Sequence, residues 1–383
     1  MSKALIFSDF HLHNWSYVST YENGWNSRLL DQKNVCDQLI AAANSHNVDY
    51  VIFCGDLFHT HGKIEAGPMS VAAHLFSSLN INNRKIVILV GNHDLGREVN
   101  SVDWLSKLGP NIRVVADTYV DDVERFGFAA YTDSAEVLKD RLEVLKDCQY
   151  WFLHQGVSGV PVGSDFVIPS EIFNTDMVPE TVNNVFTGHY HAHRATSTGT
   201  VVIGSPMQFT WGDRDSIRGF IILNTADDVR DLERAWAARG GALGRAWFHV
   251  RLIAPRFVVL TDVLSISQST HMIDTPEAFR GGNRGLLERA RAGGVVMHSV
   301  KDNYVRVTGE TPTVFMDDLR KLIVDQAGAR TLEFSYKSPR AVIGNVAGLF
   351  ELEDIIQSYI KNNNVSDDGI KVLEEIRSAV AKS

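Results

Sequence analysis

The sequence predicts an α/β fold on three observations. Short β-branched and apolar runs recur through the first 225 residues, amphipathic helical periods lie between several of them, and small clusters of Asp, Asn and His follow most of the runs. Alternation of this kind is what a sheet covered by helices requires.

The predicted strands, in order, are Ala4–Phe7, Tyr50–Phe53, Lys85–Val90, Ile112–Val115, Tyr150–Leu153, Val201–Ile203 and Phe220–Leu223. Each is short, apolar and bounded by polar residues, the pattern of a buried strand. Leu30, Val35, Leu39, Ile40 and Ala43 mark one helical face, and Val71, Leu75, Phe76 and Leu79 mark another. Both have the period of a helix lying on a sheet. After Thr225 the pattern changes. Gly- and Arg-rich joints at 239–245 and 280–285 separate strand-like Ala246–Ile253, Phe257–Thr261 and Tyr304–Thr308, which predicts a smaller α+β domain. In the last forty residues, Leu349, Leu352, Ile355, Ile356 and Tyr359 form one apolar stripe, and Ile370, Leu373, Ile376 and Val380 form a second. Ser366, Asp367 and Asp368 supply an N-cap and an acidic first turn for that second helix. The expected division is 1–225, 226–340 and 341–383.

Composition narrows the class. With 44% hydrophobic residues the chain has a core to bury, and no run approaches the roughly 18 apolar residues of a membrane span. We therefore expect a soluble, cytoplasmic protein. Cys36, Cys54 and Cys148 have neither the number nor the spacing of a disulfide framework or a thiolate zinc site, so they read as small core residues. The net charge is −9, and all of it sits in residues 1–225, with 16 basic against 25 acidic residues; residues 226–383 balance at 21 against 21. Arg239, Arg245, Arg251 and Arg256 follow one another without an intervening acid, and Arg280, Arg284, Arg289 and Arg291 form a second cluster. Either group meets phosphate or is simply solvated, and both readings stay open.

Five clusters carry the chemistry: Asp9-Phe10-His11, Gly55-Asp56, Gly91-Asn92-His93-Asp94, His154 and Gly188-His189-Tyr190-His191. Side chains at the carboxyl ends of neighbouring strands converge on one crevice. Their carboxylate, imidazole and amide donors suit Mn²⁺, Fe²⁺ or Zn²⁺ better than Ca²⁺. One cluster alone would be a chance match. Five in this order on this strand pattern are not.

These clusters, Ser8-Asp9-Phe10-His11, Gly55-Asp56-Leu57-Phe58-His59, Gly91-Asn92-His93-Asp94, His154 and Gly188-His189-Tyr190-His191, resemble the five motifs of the calcineurin-like metallophosphoesterases. The resemblance implies two stacked mixed β-sheets flanked by helices, with two divalent metal ions at the sheet edge. It implies that Asp9, His11, Asp56 and His191 hold one ion, that Asp56, Asn92, His154 and His189 hold the other, and that Asp56 bridges. Mn²⁺ is the expected metal, with Fe²⁺, Zn²⁺ and Mg²⁺ as alternatives. The implied reaction is in-line attack on phosphorus by a water that the cations acidify. His93 is the expected proton donor to the departing oxygen, with Asp94 orienting its ring.

Within the superfamily, Gly55-Asp56-Leu57-Phe58-His59, the segment Gly204-Ser205-Pro206 and the following Trp211-Gly212 are similar to the SbcD-type DNA nucleases. That resemblance covers residues 1–225 and extends to the rest only by architecture. It implies that His59 helps seat a DNA strand, that 226–340 is a capping and DNA-binding domain, and that 341–383 is a helix-loop-helix docking on an SMC-like ATPase of the SbcC type. It further implies a homodimer joined near Met69–Leu79 and Ser101–Leu108, with Phe76 and Trp104 as candidate contacts. Arg239, Arg245, Arg251 and Arg256 are the candidate DNA contacts. Two other functions use the same residues: a small-molecule or cyclic-nucleotide phosphodiesterase, and a subunit that binds DNA ends without cutting. His13 and His61 match no motif and read as solvated.

Overall fold

The apolar runs fold as strands buried on both faces, which is why they read as continuous rather than alternating. The computed structural model describes residues 2–162, 166–168, 171–214, 216, 218–225, 247–261, 301–308, 320–326 and 328–335, all within the unit Met1–Ser335. Arg239, Arg245, the cluster Arg280 to Arg291 and the expected helices of 341–383 lie outside the described residues.

The chain opens with β1 (Lys3–Phe7), a short pair β2 (Tyr21–Glu22) and β3 (Trp25–Asn26), helix α1 (Ser27–Ser45), β4 (Tyr50–Phe53), α2 (Ala66–Leu79) and β5 (Lys85–Leu89). There follow β6 (Ile112–Val115), β7 (Thr118–Asp121), β8 (Phe126–Ala129), α3 (Ala135–Leu145), β9 (Tyr150–His154) and a second short pair, β10 (Pro161–Val162) and β11 (Phe166–Val167). The remainder contributes β12 (Asn184–Gly188), β13 (Arg194–Ala195), β14 (Thr200–Val202), β15 (Gly219–Asn224), β16 (Trp247–Arg251), β17 (Phe257–Thr261), β18 (Tyr304–Thr308) and β19 (Thr331–Ser335).

Two mixed six-stranded sheets result, ordered β16-β15-β1-β4-β5-β6 and β13-β14-β12-β9-β8-β7. Within them β1-β4-β5-β6 and β14-β12-β9-β8 run parallel, while the pairs β1-β15, β15-β16, β13-β14 and β7-β8 are antiparallel. Ala4, Ile6, Ile52, Val87 and Leu89 of the first sheet meet Phe126, Phe128, Phe152 and Phe186 of the second in one core layer. The intervening Leu5, Phe7, Val51, Phe53, Ile86 and Ile88 face the other way, onto Val35, Leu39, Val71, Leu75 and Phe76 of α1 and α2. On the far side Trp151, Leu153 and Val185 pack with Leu138, Leu142 and Leu145 of α3. This is the expected α/β architecture of two stacked mixed sheets flanked by helices.

Two details differ from the sequence reading. Trp247–Arg251 is a strand as expected, but it pairs antiparallel with β15, so the first sheet continues past residue 225. Phe76 is fully buried against Phe7 and Phe53 and is no candidate for a contact between protomers. Beyond β16 a separate parallel sheet, β17-β18-β19, forms the accessory layer. Among the described residues, no helix is long and apolar enough to cross a membrane.

Candidate active site

Every chemistry-bearing cluster sits where the chain leaves the carboxyl end of a parallel strand: β1, β4 and β5 in one sheet, β9 and β12 in the other. The loops after β1 and β4 are zipped together. Asp9 N–H donates to Gly55 O at 2.9 Å, His11 N–H to Asp56 O at 3.1 Å and Leu12 N–H to Leu57 O at 2.8 Å. Gln32 of α1 holds the first loop from behind, donating to the carbonyls of Phe10 (3.1 Å) and His11 (3.0 Å) and accepting from His13 N–H (3.2 Å). The turns are sharp: Asp9, His11, Asp56 and His189 hold φ of 52°, 44°, 61° and 87°. Non-glycine residues in this region cost on the order of 1–3 kcal/mol each and concentrate at functional sites. Gly91 is required by close approach, because a Cβ there would lie 2.2 Å from Asp56 Oδ1.

The seven expected donors come together in two sets that share Asp56. Its Oδ2 lies 3.7 Å from His11 Nε2, and its Oδ1 lies 3.4 Å from His154 Nε2. On the first side His11 Nε2 and His191 Nε2 are 3.0 Å apart, and Asp9 joins them in a cluster able to hold a metal ion. On the second side Asn92 Oδ1 is 3.0 Å from His154 Nε2 and 2.8 Å from His189 Nδ1. His154 Nδ1 donates to the Cys54 carbonyl at 2.5 Å, which fixes the ring and makes Nε2 the nitrogen that faces the second set. Two imidazole nitrogens facing each other beside buried carboxylates, with His11 Nδ1 unpartnered among the described residues, fit a pair of divalent cations. Two cations held in adjacent sets would need a shared anion between them, and Asp56 presents one oxygen to each set.

Ionisation in the metal-free chain divides these donors. Burial, and next the charge of His191, keep His11 well below the ordinary histidine range, and burial with His154 pushes His189 down to about 4. Both rings are neutral near pH 7, with lone pairs available. Burial raises the Asp9 carboxyl. Burial would raise Asp56 too, but His154, then His11 and His93, hold it far below the usual carboxylate range. Burial opposes a charge on His154, yet the Asp56 carboxylate raises that ring to about 9, so without a cation its Nε2 also holds a proton, which metal binding would displace.

The three residues expected to act around the metals receive distinct positions. His93 N–H donates to Asp56 Oδ1 at 2.8 Å, and the His93 ring donates from Nδ1 to the His59 carbonyl at 2.7 Å. The His59 and His93 rings stack with centroids 5.7 Å apart. The expectation that Asp94 orients the His93 ring is corrected. The Asp94 carboxylate instead accepts the backbone N–H groups of Asp56 (2.8 Å), Leu57 (3.0 Å) and Gly91 (3.0 Å), so it ties two loops together. His61 is exposed, as expected, and stacks on His93 at 4.7 Å; His13 is half-buried and lies 5.3 Å from His59. Arg251 and Arg256 are not among the donors. They line a separate cleft of about 640 Å³ together with Lys301 and Arg330.

Four supporting residues carried no motif. Phe209 packs edge-on to the rings of His11 (5.8 Å) and His191 (5.9 Å), and Trp15 stacks on Phe209 at 5.6 Å. Asp213 lies 3.8 Å from His191 Nδ1 and 3.0 Å from Arg218, whose guanidinium also holds the His191 carbonyl and the Ser205 hydroxyl. The one sequence signal was the capping pair Thr210 and Asp213, which marks a turn and says nothing of a histidine.

Comparison with known proteins follows this geometry. The sequence pattern of the calcineurin-like phosphoesterases matches residues 2–202. A curated relative, "Putative phosphoesterase 078R" of Invertebrate iridescent virus 3, is 25% identical over 188 residues, 46% of this chain and 52% of that protein. The chain thus spans about half the length of that relative. Among solved structures, a dimetal phosphatase from Danio rerio is 10% identical with a TM-score of 0.38, covering 58% of this chain and 91% of that one. A nuclease MPE from Pseudomonas putida is 16% identical with a TM-score of 0.26, covering 52% and 66%. The match over 2–202 spans more than half of the chain, and with the two donor sets that share Asp56 it makes this protein a member of the calcineurin-like phosphoesterase family, whose members are metal-dependent hydrolases with a two-metal site.

Proposed function

We propose that the chain is a DNA nuclease, an exonuclease and single-strand endonuclease that works with an SMC-like ATPase in DNA end processing, recombination and repair. The observation that carries the DNA reading is the cleft at Arg251, Arg256 and Lys301. All three are exposed and form no ion pair among the described residues, which leaves them free to meet a phosphate backbone, although Asp31 and Asp302 also line the cleft. The cleft borders α1 at Asp31 and Asn34, and Gln32 of the same helix holds the main chain of His11. The resemblance of Gly55 to His59 and of Gly204-Ser205-Pro206 to SbcD-type nucleases supports the same reading.

When bound, the two cations would acidify the attacking water and neutralise charge on the phosphate oxygens. Asp9, His11, Asp56 and His191 would hold one, and Asp56, Asn92, His154 and His189 the other. The chain's own residues supply the proton. Because a carbonyl can only accept, the His93–His59 bond keeps one proton on Nδ1, so the ring acts as an acid in its imidazolium form: a second proton, on Nε2, would pass to the departing sugar oxygen and leave the neutral ring. His59, stacked on His93, would flank the strand being cut. Asp94 holds the loops in register. By resemblance the chain pairs as a homodimer, and residues 341–383 dock on the ATPase.

The test is Mn²⁺-dependent degradation of linear duplex DNA, run beside a chromogenic phosphodiester and an Asp56→Asn control. Degradation of DNA by the wild type and not by the control supports the proposal. Turnover of the small diester alone makes the chain a small-molecule phosphodiesterase, and binding of DNA without turnover makes it a structural subunit. Deleting 345–383 should abolish capture of the ATPase; undiminished capture overturns the docking role.

A further inference from the structure

Alternation along β18 puts Tyr304 and Arg306 on one face of the accessory strand. Each begins a chain of contacts that ends on a metal-ligating histidine. The Arg306 guanidinium lies 4.2 Å from the centre of the Trp211 ring and pairs with Glu333 of β19 at 3.0 Å. The Tyr17 hydroxyl closes the clamp: it accepts from Trp211 Nε1 at 2.6 Å and from Arg306 at 3.2 Å, and donates to Glu333. Trp211 opens the tight turn Trp211–Asp213. Asp213 fastens that turn by accepting the backbone N–H groups of Phe209 (2.9 Å) and Thr210 (3.0 Å), and its other oxygen faces His191 Nδ1 at 3.8 Å.

The second chain of contacts starts at Tyr304, whose hydroxyl donates to Asp31 at 2.7 Å. Its ring lies under the buried guanidinium of Arg28, 4.9 Å away. Arg28 in turn donates to the Phe209 carbonyl at 2.9 Å, and the Phe209 ring packs on both His11 and His191. The two routes therefore converge on the same pair of rings, those of the first donor set. His154, Asn92 and His189 of the second set touch none of these residues in the contacts described above.

We infer that Tyr304 and Arg306 of the accessory sheet are positioning residues for His11 and His191, acting through Arg28 with Phe209 and through Trp211 with Asp213. The accessory sheet thereby sets the affinity of one metal ion of the two. Outer partners that orient ligating histidines change metal affinity by roughly 10–100-fold when removed. The inference rests on the two-metal site and not on the substrate, so its test reads metal binding.

Mn²⁺ binding to the full chain is measured by calorimetry for the wild type, Arg306→Gln, Asp213→Asn and the double variant, with melting in chelator as the folding control. The expected result is one ion weakened about ten-fold in each single variant and the other ion unchanged. The double variant should lose little more than the stronger single change, because both act on one contact route. Wild-type affinity for both ions in a folded Arg306→Gln protein overturns the inference, as does equal weakening of both ions. Should Arg306→Gln fail to fold, Tyr17→Phe decides. It removes the hydroxyl at the centre of the clamp while keeping the ring, and is expected to weaken the same ion alone by about three-fold or more. Two unchanged ions in that variant overturn the inference as well.

Discussion

The Asp94 carboxylate accepts the backbone N–H of Asp56 at 2.8 Å, and with it those of Leu57 and Gly91. A fully buried carboxylate that satisfies three main-chain donors is a staple between the loops after β4 and β5. Asp94→Asn replaces one acceptor oxygen by an NH₂ that faces an N–H. We predict a loss on the order of 2 kcal/mol in the stability of the metal-free protein, measured by urea unfolding in chelator. A variant of wild-type stability that binds both ions but does not turn over would return Asp94 to a catalytic role.

His93 should behave in the opposite way. It touches Asp56 only through its backbone N–H, and its ring is held by the His59 carbonyl. His93→Leu is predicted to lower kcat by about 10²–10⁴-fold, the usual contribution of a general acid, while Mn²⁺ stoichiometry and substrate binding hold. Loss of both ions in this variant would show that the ring is structural.

Gly91 provides a test of the bridge that alters no donor. The Cβ of Gly91→Ala would lie 2.2 Å from Asp56 Oδ1 and 2.4 Å from Asp56 N. Asp56 must move, and both ions should weaken together by at least about ten-fold in a Mn²⁺ titration. Unchanged binding would mean that the loop after β4 adapts and that Asp56 is not rigidly placed.

Acid sensitivity has a source outside the metal site. His249 of β16 stacks on His193 at 4.0 Å with its Nε2 buried and unpartnered among the described residues, and burial, followed by His193, pushes its pKa down to about 3. The fold therefore favours the neutral ring, whereas the unfolded chain takes up a proton near the ordinary value of 6.5. The stabilisation is complete above pH 6.5 and is lost as the pH falls from 6.5 towards 3. Melting temperatures in chelator should fall less steeply between pH 7 and pH 5 for His249→Gln than for the wild type. Parallel curves would refute this source.

How much was legible in the sequence follows from what each residue contacts. The metal donors could be read because they follow apolar strands directly, and strand order alone brings them to one edge. β8 and β12 escaped because Gly127 interrupts one run, while Asn184, Thr187 and Gly188 dilute the other. The helical stripe Val71, Leu75, Phe76 and Leu79 was legible as buried, yet Phe76 also looked available for a protomer contact until its packing on Phe53 was seen. Asp94, Asp213, Arg218 and Phe209 act through partners distant in the chain, and no local spacing encodes such contacts. His61 and His13 lack a motif for the same reason: they reach the site by ring contacts across loops, His61 stacked on His93 and His13 tilted against His59.

Asp56, with one oxygen towards His11 and the other towards His154, would bridge the two cations. The most direct measurement is the Mn²⁺ stoichiometry of the wild-type chain and of Asp56→Ala by calorimetry. The bridge requires two ions per wild-type chain and neither ion at wild-type affinity in the variant. A single ion in the wild type, or one ion bound normally by Asp56→Ala, would contradict it.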